Sequence, residues 1–225
     1  MKKVVQLPAI ASEGRFANRL VHYIVGKCYA EAIGATVEIP NGWLGETIFE
    51  INDPHINGRS GATILPPFFN LPHRLVDPCL TRANVKRFLR WRPGWVRVTR
   101  RDRAAVHVRR GDYMTDGNFP IVSEVDLCLE ASRFGNQCEL VREDKPQSTG
   151  LFPDGIDFLE DFQRLMTAEN VFVYPRSTFS QVAALLGDGN IYMPFGYVAG
   201  QSSCKFKLAD TEQPVVFPTK NNNLL

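Results

Sequence analysis

The stretch "NVFVYPRSTFSQVAALLGDGNIYMP" (residues 170–194) decides the fold class. It opens on a run of apolar residues ending at Tyr174, the length of a buried strand. It turns at Pro175 and Arg176, and "STFSQVAALLG" then carries apolar residues at helical spacing up to Gly187. "NIYMP" reads as a second strand. Strand, helix and strand in so few residues describe a right-handed crossover unit, which belongs to a parallel sheet covered by helices.

The same alternation extends in both directions. Upstream, "AAVHV" (104–108) is a strand, "VDLCLEASRFG" a helix, "CELVRE" a strand and "GIDFLEDFQRLMTA" a helix with Phe158, Phe162, Leu165 and Met166 on one face. Nearer the start, residues 3–7 suit a short strand, chosen over a signal peptide because Gln6 and Pro8 break the apolar run. In the segment that follows, Phe16, Leu20, Ile24, Cys28 and Ala32 recur every four residues, and Gly34 stops the helix. "TVEIP" is the next strand, residues 41–79 read as irregular loops, and "TRANVKRFLRWR" as a short helix before Pro93. The expectation is an α/β protein of two small Rossmann-like lobes with parallel sheets. Residues 1–95 form an N-terminal lobe, 96–200 a C-terminal lobe, and 201–225 a polar tail.

The chain has 225 residues and a net charge of +2. No apolar run reaches the roughly 18 residues that span a bilayer. That leaves room for peripheral membrane contact only, and the expected location is the cytoplasm. Five scattered cysteines without a CxxC pair favour reduced thiols over a disulfide framework or a zinc site. Eleven of the 26 basic residues lie between Arg82 and Arg110, where Asp102 is the only acid. Such a stripe attracts phosphates, whether of nucleic acid, membrane or nucleotide.

Ligands of open parallel sheets bind at the carboxyl ends of strands. That rule singles out Ser12–Asn18, Arg109–Tyr113 and Arg176–Ser180. Arg109 and Arg110 are neighbours at a strand end and point to opposite faces. One can grip a phosphate through its planar fork while the other pairs with Asp112; a charged surface turn and a nucleic-acid patch remain open for the pair. Ser177 suits a helix N-cap, and Thr178 and Ser180 add hydroxyls to the first turn. Such a helix start can hold an anion or be simply capped. Glu13 and Asn18 are either a base and an orienting amide or residues satisfying a helix start. His107 reads as a satisfied core histidine. There is no GxxxxGK[ST], GxGxxG, DxD, GxSxG or HExxH.

Three blocks carry a resemblance. "HVRRGDY" (107–113) resembles the HxRRxD signature of the α-1,2-fucosyltransferases and the wider fucosyltransferase superfamily. "GRFANRLVHYIVGKCYAEAIGATVEIP" is similar to that superfamily's opening segment, with Ala17 in place of a glycine. "LMTAENVFVYPRSTFSQVAALLG" is similar to its third block. The resemblance implies a GT-B-like architecture and metal-independent, inverting transfer of a deoxyhexose, fucose from GDP-fucose, to a glycan hydroxyl. It implies no cofactor and no metal; the partners are a nucleotide-sugar donor and a glycan acceptor. Arg109 would hold the donor diphosphate, with Arg110, Asp112, Ser177, Thr178, Phe179 and Ser180 around it. Glu169 would read the base, Glu13 would be the general base and Asn18 would position the acceptor. The competing readings are a nucleic-acid-binding module built on the 82–110 stripe and an inactive sugar-nucleotide binder.

Overall fold

The computed structural model describes residues 3–12, 14–58, 61–99, 101–110, 121–133, 138–142, 150–153, 155–195 and 204–216. Among them the chain divides into two compact units, one formed by residues 1–96 with 212–214 and the other by 97–211 with 215–225.

In the first unit, β1 (Val4–Gln6) leads through a 3-10 turn into α1 (Phe16–Ala32), and β2 (Thr36–Glu38) returns parallel to β1. Helix α1 buries Leu20, Val21, Ile24 and Val25 completely or nearly so, as its four-residue period requires. Gly26 is needed there, because a Cβ would stand 2.6 Å from Leu7 Cδ1. Residues 41–79, expected to be irregular, contain short regular pieces: α2 (Leu44–Ile48), β3 (Thr63–Ile64) and α3 (His73–Val76). Strand β3 joins the other edge of β1 in parallel, giving the order β2-β1-β3. Its two residues have no alternation to read; pairing with Val5 and Gln6 defines it. Helix α4 (Arg82–Phe88) follows and is capped by the Thr81 hydroxyl, which accepts the Asn84 N–H at 3.2 Å.

The second unit is a five-stranded sheet. Strand β4 (Arg101–Val108) is central, α5 (Glu124–Ser132) leads to β5 (Cys138–Arg142), and α6 (Phe158–Thr167) leads to β6 (Ala168–Phe172) on the other side of β4. Helix α7 (Thr178–Leu186) and β7 (Asn190–Phe195) complete the crossover that decided the fold class. Residues 205–208, placed in the tail by the sequence, form β8 (Lys205–Leu208), antiparallel to β7. Phe206 is 6% exposed and its ring meets that of Phe172 edge-on at 5.1 Å, which ties the segment down. The order is β5-β4-β6-β7-β8.

The two faces of β4 are distinct. Ala104, Val106 and Val108 belong to a cluster with Val122, Leu127 and Ala131 on the α5 side. Ala105 and His107 therefore face the α6 and α7 side. Helix α6 is buried on its polar side as well as its apolar one: Glu160, Asp161, Gln163 and Arg164 are all covered. Each has partners. Gln163 Oε1 accepts the amides of Arg97 and Val98, at 2.8 and 3.1 Å. Arg164 lies 2.5 Å from Glu160 and 3.7 Å from both Asp161 and Glu139. Burial pushes the Asp161 carboxyl up to about 6, although Arg164 acts the other way.

Candidate functional site

The chain passes from β4 through α5 to β5 on one side and then through α6 to β6 on the other, so the winding reverses between β4 and β6. That reversal opens a crevice at the carboxyl ends of those two strands. Arg109 follows β4 there, and Ser177–Ser180 lie five residues or more beyond the end of β6.

Strand alternation gives Arg109 the His107 face and Arg110 the Val108 face. The half-buried Arg109 acts electrostatically on His107, since its charge is the second cause, after burial, of the lowered His107 pKa, about 3. His107 is 2% exposed, so its imidazole is neutral at physiological pH. Its Nδ1 lies 3.2 Å from Ser177 Oγ, and that oxygen accepts the Ser180 N–H at 3.5 Å. The imidazole also packs on the Phe179 ring at 5.5 Å, and Phe179 meets Phe162 edge-on at 5.2 Å. A core histidine thus ties the end of β4 to the start of α7.

Helix α7 begins from a strained turn: Arg176 is exposed and has φ of +60°, the left-handed region that side chains rarely adopt. Tyr174 and Ser180 lock the turn. Ser180 Oγ accepts from the Tyr174 N–H at 3.2 Å and donates to the Ser177 carbonyl at 3.3 Å. The first amides of any α-helix point out of its end without a carbonyl of their own helix, and the helix dipole makes that end positive. The half-buried Thr178 opens this one.

Several sequence expectations change here. Arg110, on the face opposite Arg109 as alternation requires, is engaged within its own unit rather than turned to a donor. Its guanidinium donates to the Arg109 carbonyl at 3.0 Å, the Tyr174 hydroxyl at 3.3 Å and the Val122 carbonyl at 3.0 Å, and lies 3.9 Å from Glu124. It holds the chain after β4 against α5. Ser180 is fully buried with its hydroxyl engaged both ways, so it builds the turn and has no bond left for a donor. Ser177 is 3% exposed, and its hydroxyl is committed to His107 and the helix cap. Glu169 is the second residue of β6, at the amino end of a parallel strand, and so lies at the opposite edge of the sheet from the crevice. Arg109, Thr178 and the Phe179 backbone remain at the crevice. Glu13 and Asp112 lie outside the described residues. Asn18, in the first turn of α1, belongs to the other unit. Sequence reasoning did not find Tyr174, whose hydroxyl also accepts the Val122 N–H at 2.9 Å. The only local hint was a tyrosine at the end of a buried strand.

The basic stripe is largely engaged within its own units. Arg87 pairs with Glu31, and Arg92 Nε donates to the carbonyls of Glu46 and Phe49 at 2.8 and 2.9 Å. Arg97 donates to the Leu151 carbonyl, and Arg103 meets Glu139 at 2.7 Å. Among the described residues, no three His, Cys, Asp or Glu side chains gather as a metal site would need, and no helix is long and apolar enough to cross a membrane.

No protein-family model and no curated protein matches the sequence. Solved structures do match in fold. A structure of NodZ alpha-1,6-fucosyltransferase soaked with GDP-fucose aligns over 93% of this chain and 99% of its own, with TM-score 0.51 and 15% identity. An Arabidopsis thaliana FUT1 mutant in complex with GDP aligns over 92% of this chain and 74% of its own, with TM-score 0.51 and 10% identity. Fucosyltransferase NodZ from Bradyrhizobium aligns over 94% and 99%, with TM-score 0.49 and 15% identity. The GT-B-like α/β fold with parallel sheets, expected from the sequence, is matched by the two structures at TM-score 0.51.

Proposed function

We propose that the protein is a glycosyltransferase that moves a deoxyhexose, fucose from GDP-fucose, onto a glycan hydroxyl. The observation that carries this reading is the crevice between β4 and β6, to which the end of β4 delivers Arg109 and where the His107–Ser177 contact ties that strand to the start of α7. Fold likeness to a fucosyltransferase soaked with GDP-fucose and to FUT1 with GDP supports it.

In this reading the bond between the sugar's anomeric carbon and the donor diphosphate breaks, and charge grows on the departing oxygen. Arg109 and the positive end of α7 stabilise that charge where it develops, an effect that often dominates catalysis. The acceptor hydroxyl attacks from the opposite face, forms the new C–O bond with inversion and gives its proton to a base. Glu13 is the candidate base, with Asn18 orienting the acceptor. In this reading a guanidinium and a helix end supply the stabilisation, and no metal or cofactor takes part.

Thermal-shift measurements with GDP, UDP and their sugars, followed by transfer assays with GDP-fucose, test the reading. GDP-selective stabilisation together with GDP release that depends on Arg109 is the expected result. Selectivity for UDP, or no stabilisation by any nucleotide, overturns it.

A further inference from the structure

Two thiols that are far apart in the chain meet in the first unit. Cys28 lies near the end of α1, and Cys79 closes the 3-10 turn Asp77–Cys79 that packs against that helix. Cys79 Sγ donates to the Leu75 carbonyl at 3.1 Å, and the same sulfur accepts the S–H of Cys28. The hydrogen bonds thus run one way, from Cys28 to Cys79 to the backbone. Donating pushes the Cys28 thiol up from its ordinary value, and accepting holds Cys79 below its own.

The contact is held from several sides. The Cys79 carbonyl accepts from Asn84 Nδ2 of α4 at 3.3 Å. Arg87, one turn further along α4, pairs with Glu31, which stands one turn beyond Cys28 on α1. Both elements are therefore fixed where the sulfurs touch, so joining them asks for little backbone movement. The two thiols differ in access: Cys28 is half-buried, whereas Cys79 is 7% exposed. An accessible thiol with a second one against it is the arrangement in which the first meets an oxidant and the second resolves the product.

We propose that Cys28 and Cys79 form a reversible oxidation site whose oxidant is a low-molecular-weight disulfide such as glutathione disulfide. Cys28, as the thiolate, attacks one sulfur of the oxidant. A mixed disulfide forms, and the first small thiolate leaves and takes up the proton that Cys28 gave up. Cys79 then attacks the Cys28 sulfur, the mixed disulfide breaks, and the second small thiol leaves with the Cys79 proton. Two protein thiols are oxidised and one small disulfide is reduced to two thiols. The new bond closes the loop 28–79, which holds β2, α2, β3 and α3, and closing so long a loop restricts the unfolded chain strongly. The inference is independent of the glycosyl-transfer reading.

The test treats the folded full chain with glutathione disulfide, or with dithiothreitol, at about pH 8, where exchange is not held back by protonation of the thiols. Remaining thiols are then alkylated in urea, and tryptic peptides are mapped by mass spectrometry. The expected product is a disulfide joining peptides 28–59 and 75–82, absent after dithiothreitol. Its formation raises the thermal unfolding midpoint followed by tryptophan emission by roughly 10 °C. In Cys28→Ser both the linked peptides and the gain in midpoint are missing, and Cys79 is recovered alkylated. A mixed disulfide that persists on Cys28 while Cys79 stays a thiol overturns the proposal, as does recovery of both residues as thiols. Linkage of either one to Cys128, Cys138 or Cys204 instead, or a link that forms only in chains unfolded before oxidation, also overturns it.

Discussion

Replacing His107 with glutamine separates the acid sensitivity of the second unit from everything else in the protein. The folded-state pKa of His107, about 3, lies below the ordinary 6.5, chiefly through burial and then through the charge of Arg109. The unfolded chain therefore binds the extra proton, and stability rises with pH wherever it does so. The contribution is complete above about pH 6.5 and falls as the pH drops towards about 3. At about pH 5 the unfolded imidazole is mostly charged while the folded one is mostly neutral, a difference of ~2 kcal/mol relative to about pH 7.5. Glutamine can still bond the Ser177 hydroxyl but cannot titrate, so His107→Gln loses this slope whatever its absolute stability. Asp161, pushed up to about 6, stabilises the fold as the pH falls and opposes His107 in the wild type. The wild-type minus variant difference cancels it. Urea unfolding resolves the effect by unit, because the three tryptophans, Trp43, Trp91 and Trp95, all lie in the first unit. Their emission follows that unit, and far-UV circular dichroism follows both. The prediction is that the gap between wild type and variant in the second unit's transition narrows by ~2 kcal/mol between about pH 7.5 and about pH 5. The tryptophan transition, which carries the separate buried His22 with its pKa lowered to about 4, is unchanged by the substitution. An unchanged gap would refute the account, since His107 would then charge within the folded protein.

Arg109→Ala lowers turnover with GDP-fucose by about 100- to 1,000-fold, as loss of one charge-stabilising donor does, and leaves the unfolding midpoint in place; rates and melting curves check both. Tyr174→Phe strands the buried Val122 N–H, takes a bond from Arg110 and destabilises the second unit by ~1–3 kcal/mol in urea titrations. Arg164→Met leaves Glu160 and Asp161 buried without their cation and removes ~3–5 kcal/mol, read from the same titrations near neutral pH. Gly189→Ala sets a methyl group 2.2 Å from the Ala168 carbonyl oxygen, which no rotamer relieves, and sharply reduces the yield of folded protein on gel filtration.

Elements that bury one side by a regular period were visible in the sequence. Helices α1 and α7 and strand β4 announce themselves because burial imposes spacing on their apolar residues. What escaped was set by partners far along the chain. Strand β3 exists because β1 offers an edge, and β8 because Phe206 finds Phe172. The polar side of α6 looks solvated until Gln163 meets backbone amides 65 and 66 residues away. At the candidate site, residue types were legible and directions less so. Arg109 and Arg110 were assigned to opposite faces by strand alternation, but only the structure gives Arg110 its carbonyls and Tyr174. Ser180 has the right hydroxyl, turned inward. Glu169 was placed by motif position, and strand polarity puts it at the far edge.

The central place of β4 has a consequence for synthesis on the ribosome. Ala104, Ala105, Val106 and Val108 are fully buried in the finished sheet, with β5 on one side and β6 on the other. Residue 108 leaves the ribosome some 60 residues ahead of 168, where β6 starts. At about 5–20 residues per second, one edge of this apolar strand waits roughly 3–12 seconds for its neighbour. Nascent chains stalled between those two positions carry an open β4 edge, and they are the species on which a chaperone that captures unpaired strands acts.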